Sequence, residues 1–200
     1  EWRHLAYRAK NLAYTLVVDD FGIKYTEEAD LDEFLDVLRQ QYDITEDRGS
    51  VQKYVGITIS HDRVQHTITL SMPGYVNKAL KRFGFLDAKG ANSPSVYTPP
   101  AYGSKNVQYE EMDVTPPVTP AAKTRIQEIV GVFLFYARAV DPTMLTAVNK
   151  LASKQSVVAA SERLMQYASR FPNATIQLRP SNMQLICHSD ASYLSELNSR

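Results

Sequence analysis

Between Ala88 and Pro120 the chain carries Pro94, Pro99, Pro100, Pro116, Pro117 and Pro120. Each proline fixes its own backbone and withholds an amide donor, so a helix or strand of ordinary length cannot run through this stretch. The 200 residues therefore read as two parts joined by a proline-rich linker over 88–120. The hydrophobic content of 44% gives each part material for a core.

Upstream of the linker the pattern is hairpin, helix, hairpin, helix. Thr15 to Val18 and Gly22 to Tyr25 are β-rich runs on either side of Asp19, Asp20, Phe21 and Gly22, which reads as a tight hairpin with acids at its tip. Leu31, Phe34, Leu35, Leu38 and Tyr42 recur at helical spacing behind Asp30, the expected N-cap. Tyr54 to Ser60 and Val64 to Ser71 are expected to pair as a second hairpin across His61, Asp62 and Arg63. Pro73 then opens a helix with an apolar face of Tyr75, Val76, Ala79, Leu80 and Phe83, and Gly84 ends it. Lys78, Lys81 and Arg82 fall on its opposite side.

Downstream, Ile126, Ile129, Val130, Phe133 and Leu134 mark an apolar helix, and Pro142 to Leu151 and Val157 to Phe171 read as two more. Thr175 to Leu178 and Gln184 to His188 are short strand candidates around a turn at Arg179, Pro180, Ser181 and Asn182. The fold class expected from this order is α+β.

Charge and cysteine content narrow the functions available. Lys and Arg balance Asp and Glu, so the chain as a whole is no polycation, and any nucleic-acid contact must come from local patches. The single Cys187 excludes an internal disulfide framework and suggests a reducing compartment, cytosol or nucleus. The longest apolar run, Ile129 to Ala137, is shorter than the roughly 20 residues that a membrane helix needs. No glycine-rich phosphate loop, nucleophile elbow or paired-histidine zinc helix occurs. Cys187 and His188 are strand neighbours facing opposite sides, with no further cysteine to complete a zinc site.

Asp19 and Asp20 stand out because adjacent carboxylates after an apolar strand repel one another. A divalent cation would remove that cost, and oxygen ligands suit magnesium. On the residues alone two readings stand: polar turn residues at a hairpin tip, the commoner case for a bare acid pair, or part of a metal site awaiting a further carboxylate.

The segment Leu16, Val17, Val18, Asp19, Asp20, Phe21 and Gly22 resembles the catalytic hairpin of reverse transcriptases, and more closely that of copia-type LTR retrotransposons. Lys53, Tyr54, Val55, Gly56 and Ile57 are similar to the family's primer grip. Leu70 to Phe83, through Met72, Pro73, Gly74 and Tyr75, is similar to the strand and helix that enter the thumb. Gly131 to Leu151 resembles the connecting helices, and His188, Ser189, Asp190, Ala191 and Ser192 resemble the start of a retroelement ribonuclease H. Val17 stands where many members of the family carry a tyrosine.

That resemblance implies an internal piece of a polyprotein. Residues 1–71 would be the C-terminal part of the palm, 72–87 the thumb-entry helix, 121–172 the helical thumb and connection, and 173–200 the beginning of the nuclease. Asp19 and Asp20 would hold Mg²⁺ for nucleotidyl transfer, and Asp190 would be the nuclease's first metal-binding acid. Tyr54, Val55 and Gly56 would grip the primer, and Lys78, Lys81 and Arg82 would follow a nucleic-acid backbone. The implied partners are an RNA template, a DNA primer, deoxynucleoside triphosphates and the rest of the polyprotein, with no membrane role. The fragment by itself is expected to be inactive. The competing reading is a catalytically dead remnant serving as a nucleic-acid-binding or interaction scaffold.

Overall fold

The computed structural model describes residues 12–96, 118–153 and 158–182, together with Gln184 and Cys187. The chain is a mixed α+β protein with two small antiparallel sheets, divided into two compact units. Among the described residues, the first holds Leu12 to Ser71 together with Gln177–Arg179, and the second holds the rest from Met72 onward. Among the described residues, no helix is long and apolar enough to cross a membrane.

In the first unit, β1 (Leu12–Val17) and β2 (Asp20–Tyr25) form a two-stranded hairpin. Its turn is shorter than the sequence suggested. Val17 pairs with Asp20, so only Val18 and Asp19 lie outside the ladder, and Asp20, Phe21 and Gly22 are already strand. α1 (Glu28–Arg39) follows, buries Leu31 and Leu35, and packs against β2. Its N-cap is Glu27 and not Asp30, which sits in the first turn where a carboxylate favours the positive end of the helix dipole. Arg48 donates to Glu46 within the loop after α1 and ties that loop back to the helix through Glu28 and Asp32, at 2.7–3.0 Å. The bonds to Asp32 and Glu46 push the proton affinity of the Arg48 guanidinium up further.

The expected second hairpin is a three-stranded meander of β3 (Val51–Tyr54), β4 (Ile57–Asp62) and β5 (Thr67–Ser71). Tyr54 to Ser60 is not one strand. The chain reverses at Val55 and Gly56, both at positive φ (50° and 78°), in the two-residue loop whose twist suits a hairpin. Asp62 shapes the next turn, accepting from the amides of Val64 and Gln65 at 2.9 Å. β6 (Thr175–Leu178) follows β5 in the order β3-β4-β5-β6, its residues Gln177 and Leu178 belonging to this unit. Gln184 and Cys187 lie outside any strand, and the rest of the strand expected at Gln184 to His188 is outside the described residues.

The second unit is helical. α2 (Tyr75–Phe83) begins after Gly74, so Pro73 precedes the helix and does not open it; the helix stops at Gly84, both glycines at positive φ, and buries Val76, Ala79, Leu80 and Phe83, with Tyr75 half-buried. α3 (Pro120–Ala139) starts on Thr119, whose hydroxyl accepts from the Ala122 amide. A 3-10 turn at Pro142–Met144 leads into α4 (Leu145–Ser153), and α5 (Val158–Arg170) completes the layer. Phe133, Tyr136, Val148, Leu164 and Met165 are wholly buried between these helices. Each large side chain removed from water in this way contributes about 1.5–3 kcal/mol. The first residues of the proline-rich stretch, Ala88 to Ser93, are bonded along α5: the Ala91 amide donates to Gln166 O at 3.1 Å and Arg163 Nε to Ser93 O at 3.0 Å. The stretch from Tyr97 to Pro117 lies outside the described residues.

Candidate functional site

Strand alternation gives the first hairpin two chemically distinct faces. Leu12, Tyr14, Leu16, Phe21, Ile23 and Tyr25 share one of them by register. There Tyr14, Phe21 and Phe34 of α1 meet as an aromatic trio, with ring centroids 5.3–6.0 Å apart. Ala13, Thr15, Val17, Asp20, Gly22 and Lys24 share the other. Asp20 is thus on the side away from α1, and Asp19 is in the turn itself. Both carboxylates are exposed.

Val18, the first residue of the turn, has φ of 57° and is 92% exposed. A β-branched residue is a true outlier there, because its Cβ crowds the following carbonyl. Such a conformation costs about 1–3 kcal/mol and persists only when its surroundings impose it. Here the imposing elements are the six-pair ladder behind the turn and the aromatic trio that anchors it.

The same face that carries Asp20 meets Tyr54, the last residue of β3. The hydroxyls of Tyr54 and Thr15 share a hydrogen bond at 2.8 Å. Thr15 Oγ1 also lies 3.5 Å from the Gly22 carbonyl, so with Tyr54 as donor the threonine proton is free for a weak bond to that oxygen. The tyrosine ring crosses Gly22 closely: a Cβ there would stand 3.1 and 3.2 Å from two ring carbons and 2.9 Å from Thr15 Oγ1. Tyr54 and Val55 are half-buried, while Gly56 beside them is exposed.

The carboxylate pair fits a magnesium ion in its donor chemistry, since both residues offer hard, anionic oxygen and are open to solvent. It falls short in number. Among the described residues, no group of three or more His, Cys, Asp or Glu stands together to hold a metal ion. Asp190, expected as a nuclease acid, lies outside the described residues, as does His188, and Cys187 is exposed.

Lys78 and Lys81 are exposed on α2. Arg82 is exposed as well but engaged: its Nη2 donates to Glu128 Oε2 of α3 at 2.9 Å, and its guanidinium lies 5.1 Å from the centre of the Phe83 ring. Beside it Arg125 donates to the Phe83 carbonyl at 2.6 Å and closes the C-terminal end of α2. Arg82, Phe83, Ala121, Ala122, Thr124, Arg125 and Glu128 line an open cleft of about 430 Å³ there.

Thr15 was invisible as a site residue in the sequence. A threonine in a strand has ordinary β-propensity, and nothing in the spacing announces a partner 39 residues away. Gly22 carried a signal, since a glycine inside a strand often marks a close approach, although Tyr54 could not be named as what approaches. No family model, curated protein or solved structure matches the chain.

Proposed function

We propose that this chain is part of an RNA-directed DNA polymerase of a copia-type LTR retrotransposon polyprotein, reaching from the palm's acidic hairpin into the beginning of a ribonuclease H. The observation that supports this most is the tip of the first hairpin, where Asp19 and Asp20 stand exposed beside a strained Val18. Val55 and His66 also adopt positive φ, and it is at Val18 that such strain, a common mark of functional sites, coincides with the acids that the sequence resemblance singles out.

In this reading Asp19 and Asp20 supply two of the carboxylates that hold Mg²⁺, and the remaining ligands come from elsewhere in the polymerase. Magnesium, when bound, supplies the positive charge that activates the primer hydroxyl and steadies the departing pyrophosphate. The chain's own residues hold that charge at the end of a short, doubly anchored hairpin. Tyr54, Val55 and Gly56 form the turn nearest the primer, and Lys78 and Lys81 offer charge to a nucleic-acid backbone without reading sequence. Asp190 begins a separate metal centre for cleavage of RNA in a hybrid.

Asparagine substitutions in the element's whole polymerase, with its in-frame flanking sequence, test the assignment. Asp19→Asn and Asp20→Asn are expected to abolish primer extension while hybrid RNA cleavage continues, and Asp190→Asn to do the reverse. Extension near the parent rate in Asp19→Asn would defeat the reading. A second reading, a dead remnant kept as a binding scaffold, draws on the apolar side chains Leu16, Val18 and Phe21 exposed around the same tip. It expects no extension from the parent polymerase and undiminished binding of a partner after Asp19→Asn.

A further inference from the structure

We infer that Tyr54 is a positioning residue, whose hydroxyl bond to Thr15 and ring contact with Gly22 fix the angle at which the hairpin presents Asp20. The inference rests on the polymerase reading of Asp19 and Asp20. The primer-grip resemblance gives Tyr54 a contact with nucleic acid, whereas the geometry gives both its ring and its hydroxyl a partner inside the protein.

Two antiparallel strands are marginal on their own and need packing to keep one orientation. One face of this hairpin is anchored on α1 by Tyr14, Phe21 and Phe34. Apart from the exposed Tyr25–Glu28 bond at the far end of the ladder, that anchor is aromatic, and such contacts tolerate sliding and tilting far better than a hydrogen bond does, which leaves the tip a hinge. The opposite face, which carries Asp20, is held by Tyr54.

Position along the ladder makes this second anchor consequential. Thr15 pairs with Gly22, and Val17 with Asp20, so the Tyr54 contact is one same-face step behind the acid. That step along a strand is about 7 Å. Tyr54 is also the last residue of β3, directly before the Val55–Gly56 turn. The hydroxyl pair therefore couples the acid-bearing hairpin to the meander through one bond. Metal-centred chemistry tolerates displacements of only about 0.5 Å, so loss of this bond should reduce turnover while the fold persists. Gly22 completes the arrangement, since any side chain there would lift the ring away.

Four variants test it: Tyr54→Phe, Thr15→Val, the two combined, and Thr15→Ser, which keeps the hydroxyl. In the 200-residue chain, amide hydrogen exchange across Leu16 to Phe21 is expected to speed up about five-fold in each of the first two, as one lost hydrogen bond implies. The combined variant should be no faster than either alone, Thr15→Ser should match the parent, and amides of α5 should not change. Additive effects, or no change in exchange, would overturn the latch whatever the chain's function. In the whole polymerase, both single variants are expected to lower kcat about five-fold with primer KM unchanged, because neither side chain touches the primer. A rise in primer KM confined to Tyr54→Phe would overturn the positioning role and return Tyr54 to direct primer contact. If the parent polymerase extends no primer, the polymerase reading fails, and the exchange data alone judge whether the latch exists.

Discussion

The Tyr54 hydroxyl lies 2.8 Å from the Thr15 hydroxyl, and through that contact the turn after β3 and the acidic hairpin share a fixed point. Both groups are partly buried, which makes the bond worth more than one facing water. Around it the candidate site divides into a part that holds geometry, namely Thr15, Gly22 and Tyr54, and a part that carries charge, namely Asp19 and Asp20. That division sets the first expectation.

Gly22→Ala should damage the site without touching an acid. Thr15 Oγ1 could rotate away from the new methyl group, but the Tyr54 ring, 3.1 Å away, would have to move as a body. Overpacking of this kind costs about 1–3 kcal/mol. Urea unfolding followed by circular dichroism checks the number, and a loss below about 0.5 kcal/mol would show that the ring yields freely.

The second unit should weaken in alkali. Burial pushes the phenols of Tyr75 and Tyr136 above their ordinary value near 10, and the Asp141 carboxylate adds to the rise at Tyr136. The folded chain thus holds these protons more tightly than the unfolded chain. Stability is complete below about pH 10 and is lost as the pH climbs through the folded values. Thermal melts between pH 8 and about 12 should show this fall, and it should be shallower in Tyr136→Phe.

On nucleic acid, Lys78→Ala and Lys81→Ala are each expected to reduce the salt slope of duplex binding by about 0.9. Arg82→Ala should do less, because Arg82 must first leave Glu128, 2.9 Å away. Fluorescence anisotropy titrations across a salt series measure the slopes. Equal effects from all three would mean that the Arg82–Glu128 pair opens at no cost.

The 200-residue chain alone should extend no primer on an RNA template, with or without Mg²⁺. Asp19 and Asp20 are two carboxylates at an open tip, and among the described residues nothing completes a three-ligand group. Radiolabelled primer extension is the assay, and product that disappears in Asp19→Asn would overturn this expectation.

The sequence was most legible where a single periodicity met a strong stop signal. In α2 the face Val76, Ala79, Leu80 and Phe83 is buried and Gly84 ends the helix at φ 75°, as the spacing and the glycine implied. The turns were harder because two of them defy local preference. Val18 and Val55 both adopt positive φ, where β-branched residues are least expected, so Val18 read as strand and Tyr54 to Ser60 as one run. Asp30 looked like an N-cap by residue type, yet the helix begins two residues earlier without any side-chain cap. The place of β6 next to β5 was hidden for another reason, since pairing over about a hundred residues leaves no local trace. The acid pair itself was plain in the sequence; its supporting contacts were not.

The two faces of the first hairpin have a further consequence for how the chain reaches this state. If β1 and β2 paired one position out of step, every side chain on the displaced strand would turn over. Displacing β2 would carry Asp20 to the side of Tyr14 and Phe34, and Phe21 to the side of Thr15 and Tyr54. A carboxylate among aromatic rings and a bulky ring in the glycine's place would both be penalised. The side chains that disfavour this slipped hairpin are the same ones that aim the acid outward, so a chain that has paired its strands correctly has already oriented Asp20.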